Sequence, residues 1–213
     1  PNPKLFYAES ISNPLNDILD IPAIAEVAHA NQVPLVVDNT VATPYLIRPL
    51  ELGADVVVSS ATKYLGGHGS SLGGVLVDGG RFDWRVQRDG EDVFPSFTTP
   101  DPAYHGLVYA DLGAPALALK ARVTLLRDTG AAASPFNAWT LAQGIDTLSL
   151  RVERHVANAQ AVAEWLEARP DVAKVQYAGL ASSPYNALQK TLSPKGAGVA
   201  REAIDELVRM GTK

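Results

Sequence analysis

The stretch Val56-Val57-Val58-Ser59-Ser60-Ala61-Thr62-Lys63-Tyr64-Leu65-Gly66-Gly67-His68-Gly69 decides the fold. Three successive valines make both faces of a strand apolar, the pattern of a strand covered on each side. Working outward, Pro34-Leu35-Val36-Val37 and Gly74-Val75-Leu76-Val77 read as further strands, and Leu5-Phe6-Tyr7-Ala8 as an earlier one. Between them, Ile21 to Ala30 has helical spacing at Ile24, Val27 and Ala28, and Pro49 to Gly53 reads as a short helix closed by glycine. Strands alternating with short helices predict an α/β fold with a mostly parallel sheet and helices on both faces.

From Ser134 the pattern changes. Ser134 and Pro135 form a helix start, Gly144 is expected to interrupt that helix, and Leu148, Val152, Val156, Ala159, Ala163 and Leu166 define one face of a long amphipathic helix. Val172-Ala173-Lys174-Val175 reads as a short strand. The tail, with Ala203, Ile204, Leu207 and Val208, reads as another helix. A domain boundary is placed near residue 130.

With 213 residues, 46% of them hydrophobic and 19% charged, the chain has the makeup of a globular protein able to bury a core. Its net charge of −5 leaves no footprint for nucleic acid or an anionic membrane. No run approaches the roughly 20 apolar residues of a membrane helix, and no signal-peptide pattern opens the chain. The expectation is a soluble cytoplasmic protein. The absence of cysteine excludes disulfides, thiolate metal sites and cysteine nucleophiles. Because the chain opens on Pro1 and enters a strand almost at once, it is expected to begin inside a larger domain.

Two polar clusters fall at strand ends: Asp38-Asn39-Thr40 after Leu35-Val36-Val37, and Ser59 to Lys63 after the valines. Ligands of open α/β sheets sit at that edge. Ser60 and Thr62, two residues apart, would point the same way from an extended backbone and could donate to one phosphate. Lys63 would reach an aldehyde carbon. Asp38 could pair with a protonated ring nitrogen and keep the ring an electron sink. Singly, each has a plainer reading: a turn aspartate, a solvated lysine, a glycine turn. The glycine loop lacks the Gly-Lys-Ser/Thr ending of a nucleoside-triphosphate loop.

The strings Glu9-Ser10-Ile11-Ser12-Asn13-Pro14, Val37 to Tyr45, Arg48 to Asp55 and Ser59 to Gly69 closely resemble the cystathionine γ-synthase-like group of fold-type I enzymes dependent on pyridoxal 5′-phosphate (PLP), the enzymes of Cys/Met metabolism. The resemblance runs from Leu5 to Gly198. It implies that Lys63 carries PLP as a Schiff base, Asp38 pairs with the pyridine nitrogen, and Ser60 and Thr62 hold the phosphate. It implies too that Asn13 bonds the phenolic oxygen and that Thr40 lies against the ring; the plainer readings are a turn residue before Pro14 and a packing residue. Residues 1–130 would be the PLP-binding large domain without its N-terminal part. Residues 131–213 would be linking helices and part of a C-terminal domain.

Phe94 to Pro100, Tyr104 to Leu107, Arg127 to Gly130, Ser134 to Ala138 and the loop Gly67-His68-Gly69-Ser70-Ser71 are similar to the O-acetylhomoserine sulfhydrylase branch. Without that resemblance residues 90–106 read as an exposed loop, and His68 and His105 as loop residues outside catalysis. The implied reaction is γ-replacement: the substrate amine displaces Lys63, the freed amine shuttles protons, acetate leaves Cγ and sulfide adds, giving homocysteine. Lys63 must be neutral for this, a state that burial beside apolar or cationic groups favours. The family also uses a stacking aromatic residue and a glycine-containing phosphate loop from sequence before Pro1, tyrosine and arginine from a neighbouring subunit, and a C-terminal arginine for the substrate carboxylate. No residue here matches that arginine. The tail after Gly198 departs from the family pattern, so Arg201 and Arg209 receive no role. A homotetramer, built as a dimer of dimers, is implied. Two alternatives stay open: a cystathionine γ-synthase or γ-lyase, and a truncated non-catalytic piece of such an enzyme.

Overall fold

Residues 3–198 are described by the computed structural model. The expected terminal helix around Ala203 to Val208 lies outside the described residues. Strands β1 (Phe6–Glu9), β2 (Leu35–Asp38), β3 (Val56–Ser60) and β4 (Gly74–Asp78) form one sheet in that order. The first three are parallel, which sets Glu9 beside Asp38 and Asp38 beside Val58. β4 runs antiparallel to β3, with Gly74 beside Ser60. The segment between them holds one turn, Ala61–Leu65, in place of a crossover helix, so the chain returns at the same edge.

Helix α1 (Ile21–Ala30) is capped by Asp20, whose carboxylate accepts the N–H of Ala23. It buries Ile21, Ala25 and Ala28. Val27, placed on the apolar stripe by spacing, is 48% exposed. The one-turn helix α2 (Thr43–Leu46) follows β2, and a 3₁₀ turn spans Pro49–Leu52. As the sequence indicated, Gly53 closes that turn at φ 106°, where a Cβ would also press to 2.9 Å from Ala25.

Cover on both faces holds at β3, where Val56 and Val57 are buried, and fails at β4. Val75, Leu76 and Val77 are each more than two-fifths exposed. β4 is the edge strand of the sheet among the described residues.

Residues 82–126 were expected to include an exposed loop. They hold the hairpin β5 (Gln87–Arg88) and β6 (Glu91–Asp92), helices α3 (Pro95–Thr98) and α4 (Ala116–Lys120), and a second apolar core. Trp84 stacks on Phe97 at 4.3 Å, and the Lys120 ammonium lies 4.4 Å from the Tyr109 ring centre. Helix α5 (Arg127–Thr129) then ends at Gly130.

Helix α6 (Pro135–Asp146) starts as read: Ser134 Oγ accepts the Asn137 N–H at 3.1 Å. It runs straight through Gly144, contrary to the expected break. Gly144 is buried, and only glycine fits there, since a Cβ would sit 2.0 Å from the carbonyl oxygen of Gly66. Helix α7 (Leu148–Glu167) buries Leu148, Val152, Ala159 and Ala163 in the main core. Each of its larger apolar side chains contributes about 1.5–3 kcal/mol on full burial. Val172 to Val175 is irregular where a strand was expected, because no strand among the described residues lies alongside to share a ladder. The chain then reaches helix α8 (Asn186–Leu192).

Candidate active site

The carboxyl ends of β1, β2 and β3 open onto one cavity of about 510 Å³. All six residues singled out from sequence line it: Asn13, Asp38, Thr40, Ser60, Thr62 and Lys63. The parallel register brings the strand ends together, and a buried network holds them there. Asn39, 1% exposed, accepts from Ser10 Oγ at 2.7 Å and donates to the Ile47 carbonyl at 2.9 Å. Thr43 follows at φ 58°, an uncommon left-handed conformation for a β-branched residue, with its N–H on the Asn39 carbonyl.

Asp38 is half-buried and well supplied with donors. Its Oδ1 accepts the Thr40 N–H at 2.9 Å and the Thr40 hydroxyl at 2.5 Å, and its Oδ2 accepts the Tyr7 hydroxyl at 3.0 Å. A carboxylate has about four acceptor positions, so one on Oδ2 stays open. Burial, followed by the hydrogen bond to Asp38, raises the Tyr7 hydroxyl above its ordinary range.

Thr40 has a second task. Its hydroxyl accepts the Ser60 N–H at 2.8 Å, tying β2 to β3. Ser60 ends β3, and Thr62 lies within the Ala61–Leu65 turn, so the two do not share an extended backbone as the spacing argument assumed. They reach the same cavity all the same. Thr62 Oγ1 accepts the Gly73 N–H at 3.0 Å and leans on the Gly73 carbonyl at 3.3 Å. The Ser60 hydroxyl and the Lys63 ammonium have no partner among the described residues. Lys63 breaks the helical angles of its turn, at φ −85° and ψ −125°. It is exposed, so the burial that the sequence argument asked for does not come from these residues.

Five further polar side chains, with no role assigned from sequence, line the cavity: Glu9, Tyr64, His68, Arg151 and His155. His68, set aside as a loop residue, bonds the Gly66 carbonyl through Nδ1 at 2.9 Å and also faces the cavity. Glu9 accepts the Asn13 N–H at 2.9 Å. Arg151 and His155 are four residues apart on α7, a spacing that shares one helix face and was the available signal. A primary amine, a carboxylate with an open acceptor and two hydroxyls thus meet in one cavity. That set can hold an anion and an aldehyde-bearing ring together.

Residues 1–206 match the family profile of the Cys/Met metabolism PLP-dependent enzymes. The chain belongs to that family. PLP is therefore its family cofactor, and the match runs past Gly198, where the family pattern had been expected to stop. Among relatives of this PLP-dependent chain, O-acetyl-L-homoserine sulfhydrylase of Corynebacterium glutamicum is 63% identical over 198 residues, covering 93% of this chain and 45% of that one. A solved structure from Campylobacter jejuni, described as an O-acetylhomoserine (thiol)-lyase and containing N′-pyridoxyl-lysine-5′-monophosphate, superposes with a TM-score of 0.84 at 40% identity, over 92% of this chain and 48% of that one. Cystathionine γ-lyase of Lactobacillus plantarum, complexed with L-serine, gives a TM-score of 0.71 at 32% identity, over 92% and 42%. The chain spans less than half the length of each. No helix of the described residues is long and apolar enough to cross a membrane.

Proposed function

We propose that the protein, at its full natural length, is an O-acetylhomoserine sulfhydrylase. The reaction is γ-replacement: the Cγ–O bond of O-acetylhomoserine breaks, acetate leaves, and sulfide forms the Cγ–S bond of homocysteine. The observation that carries the reading is the meeting of Lys63, Asp38, Ser60 and Thr62 in one cavity of a family member whose relatives include sulfhydrylases.

The residues fit PLP by their chemistry. Lys63 offers an amine for the aldehyde, Asp38 keeps an acceptor position for the ring N–H, and the uncommitted Ser60 hydroxyl can donate to a phosphate. Thr62 can add a second donor by giving up its 3.3 Å contact with Gly73. Asn13 is assigned to the phenolic oxygen and Thr40 to the ring side of the site. When bound, PLP supplies an aldehyde for the substrate amine and a ring that accepts electrons from the substrate carbons. Lys63 then holds and moves protons at substrate Cα and Cβ. Asp38, held by Thr40 and Tyr7, would accept the ring N–H.

Residues 1–130 are assigned to the PLP-binding domain and 131–213 to linking helices with part of a C-terminal domain. The support is the left-handed Gly130 that ends α5 and the new helix start at Ser134. The assembly is assigned as a homo-oligomer, a dimer of dimers, working in the cytoplasm.

A cystathionine γ-synthase or γ-lyase is the second reading, favoured by the likeness to the Lactobacillus plantarum structure. Assays with O-acetylhomoserine separate them. Homocysteine and acetate formed with sulfide, faster than any product with cysteine as nucleophile, support the sulfhydrylase. Cystathionine as the main product, or turnover without a nucleophile, contradicts it.

A further inference from the structure

We propose that Arg151 is a positioning residue for Lys63: its guanidinium clamps the carbonyl end of the lysine turn to the end of helix α6 and so fixes where the amine stands. This rests on the reading of Lys63 as the residue that bears the cofactor.

The geometry is a fork with acceptors on two elements. Nη1 donates to the Tyr64 carbonyl at 2.8 Å, and Nη2 to the Leu65 carbonyl at 3.3 Å and to the Gly144 carbonyl at 2.7 Å. Nε donates to Thr147 Oγ1 at 3.1 Å, which orients the plane. Tyr64 and Leu65 are the last two residues of the Ala61–Leu65 turn, and Gly144 lies in the last turn of α6. Carbonyls at those positions lack intrahelical partners and carry the negative end of the helix dipole. One cation therefore satisfies the open ends of two helical segments. No carboxylate pairs with Arg151 among the described residues.

The surroundings are shaped to admit this clamp. Gly67 has no side chain where a Cβ would stand 2.6 Å from the Arg151 Cζ, and Gly144 lets α6 meet the Gly66 backbone directly. The lysine turn is held from the other side by Thr62 on Gly73. Lys63 itself has no partner to hold its ammonium, so its place depends on the backbone that Arg151 pins. A lysine at 151 would keep the charge and lose the planar fork.

The test uses the PLP-loaded protein at its full natural length. The parent is reduced with borohydride to locate the cofactor. R151M, R151K and the control R154M, whose residue is exposed on the same helix, are then compared in kcat, in KM for O-acetylhomoserine and in the rate at which hydroxylamine releases PLP. Both Arg151 variants are expected to lower kcat by about 100-fold, the cost of a misplaced reacting group, with KM little changed and PLP released faster. R154M should match the parent. R151K at the parent's kcat and release rate overturns the proposal, as does an R151M loss that only tracks the amount of folded protein. A parent without PLP on Lys63 overturns the cofactor reading and this proposal together, whereas a trapped parent with unchanged variants overturns this proposal alone.

Discussion

The Thr40 hydroxyl donates to Asp38 Oδ1 at 2.5 Å while taking the N–H of Ser60 at 2.8 Å. One side chain thereby sets the carboxylate at the end of β2 relative to the hydroxyl at the end of β3. Thr40→Val keeps the branched shape and leaves the Ser60 N–H without its acceptor. That should lower the free energy of unfolding by about 1 kcal/mol, the cost of losing the acceptor of a partly buried donor. Thr40→Ser should restore it. Urea midpoints of the two variants measure this, and a valine variant that unfolds with the parent would refute the bridge.

Asp38→Asn retains the size of the side chain and removes the charge assigned to the ring nitrogen. Turnover should fall by about 100-fold or more, the scale of losing one well-placed electrostatic group, while PLP remains attached. Steady-state rates with bound-cofactor counts check it. Equal turnover would remove Asp38 from its role.

Gly144→Ala tests the close approach of α6 to the lysine turn. The added Cβ would lie 2.0 Å from the Gly66 oxygen, so backbone must move. Destabilisation of about 1–3 kcal/mol is expected for such overpacking, with loss of turnover beyond what stability explains. Thermal unfolding and rates on the folded protein provide the readout.

Tyr109 and Asp101 predict a pH dependence in the second core. Burial, then the hydrogen bond to Asp101, pushes the Tyr109 hydroxyl up to about 12. The same bond, donated at 2.5 Å, holds Asp101 below its ordinary 3.8. The raised tyrosine contributes stability that is complete below its ordinary 10.0 and lost as pH rises through about 12. The lowered aspartate contributes stability present above 3.8 and lost as pH falls through its folded value. Tyr109→Phe should raise the Asp101 carboxyl in an NMR titration, and its stability deficit should shrink below pH 3.8. An unmoved Asp101 titration would show that the bond does not set it.

The strand ends were legible because valine runs followed by Asp38 or by Ser60 and Lys63 carry their chemistry locally. Arg151 and His155 were not, since their place in the cavity depends on how α7 docks through Leu148, Val152, Ala159 and Ala163 on the main core, which no local pattern shows. Gly144 read as a helix breaker because its packing partner is 78 residues away in sequence. The second core is not legible in the sequence because Phe82, Trp84, Phe94, Phe97, Tyr104 and Tyr109 follow no regular period. Val172 to Val175 has the residue types of a strand, and a strand also needs a partner that composition does not reveal.

The proposed chemistry depends above all on Lys63 bearing the cofactor. Its most direct test is borohydride reduction of the PLP-loaded protein at full natural length, followed by mass spectrometry of the Lys63 peptide, with Lys63→Ala alongside. A reduced pyridoxyl adduct on Lys63, with its visible band lost in the alanine variant, is the predicted result. An adduct on another lysine, or none in a protein that turns over O-acetylhomoserine with sulfide, would contradict it.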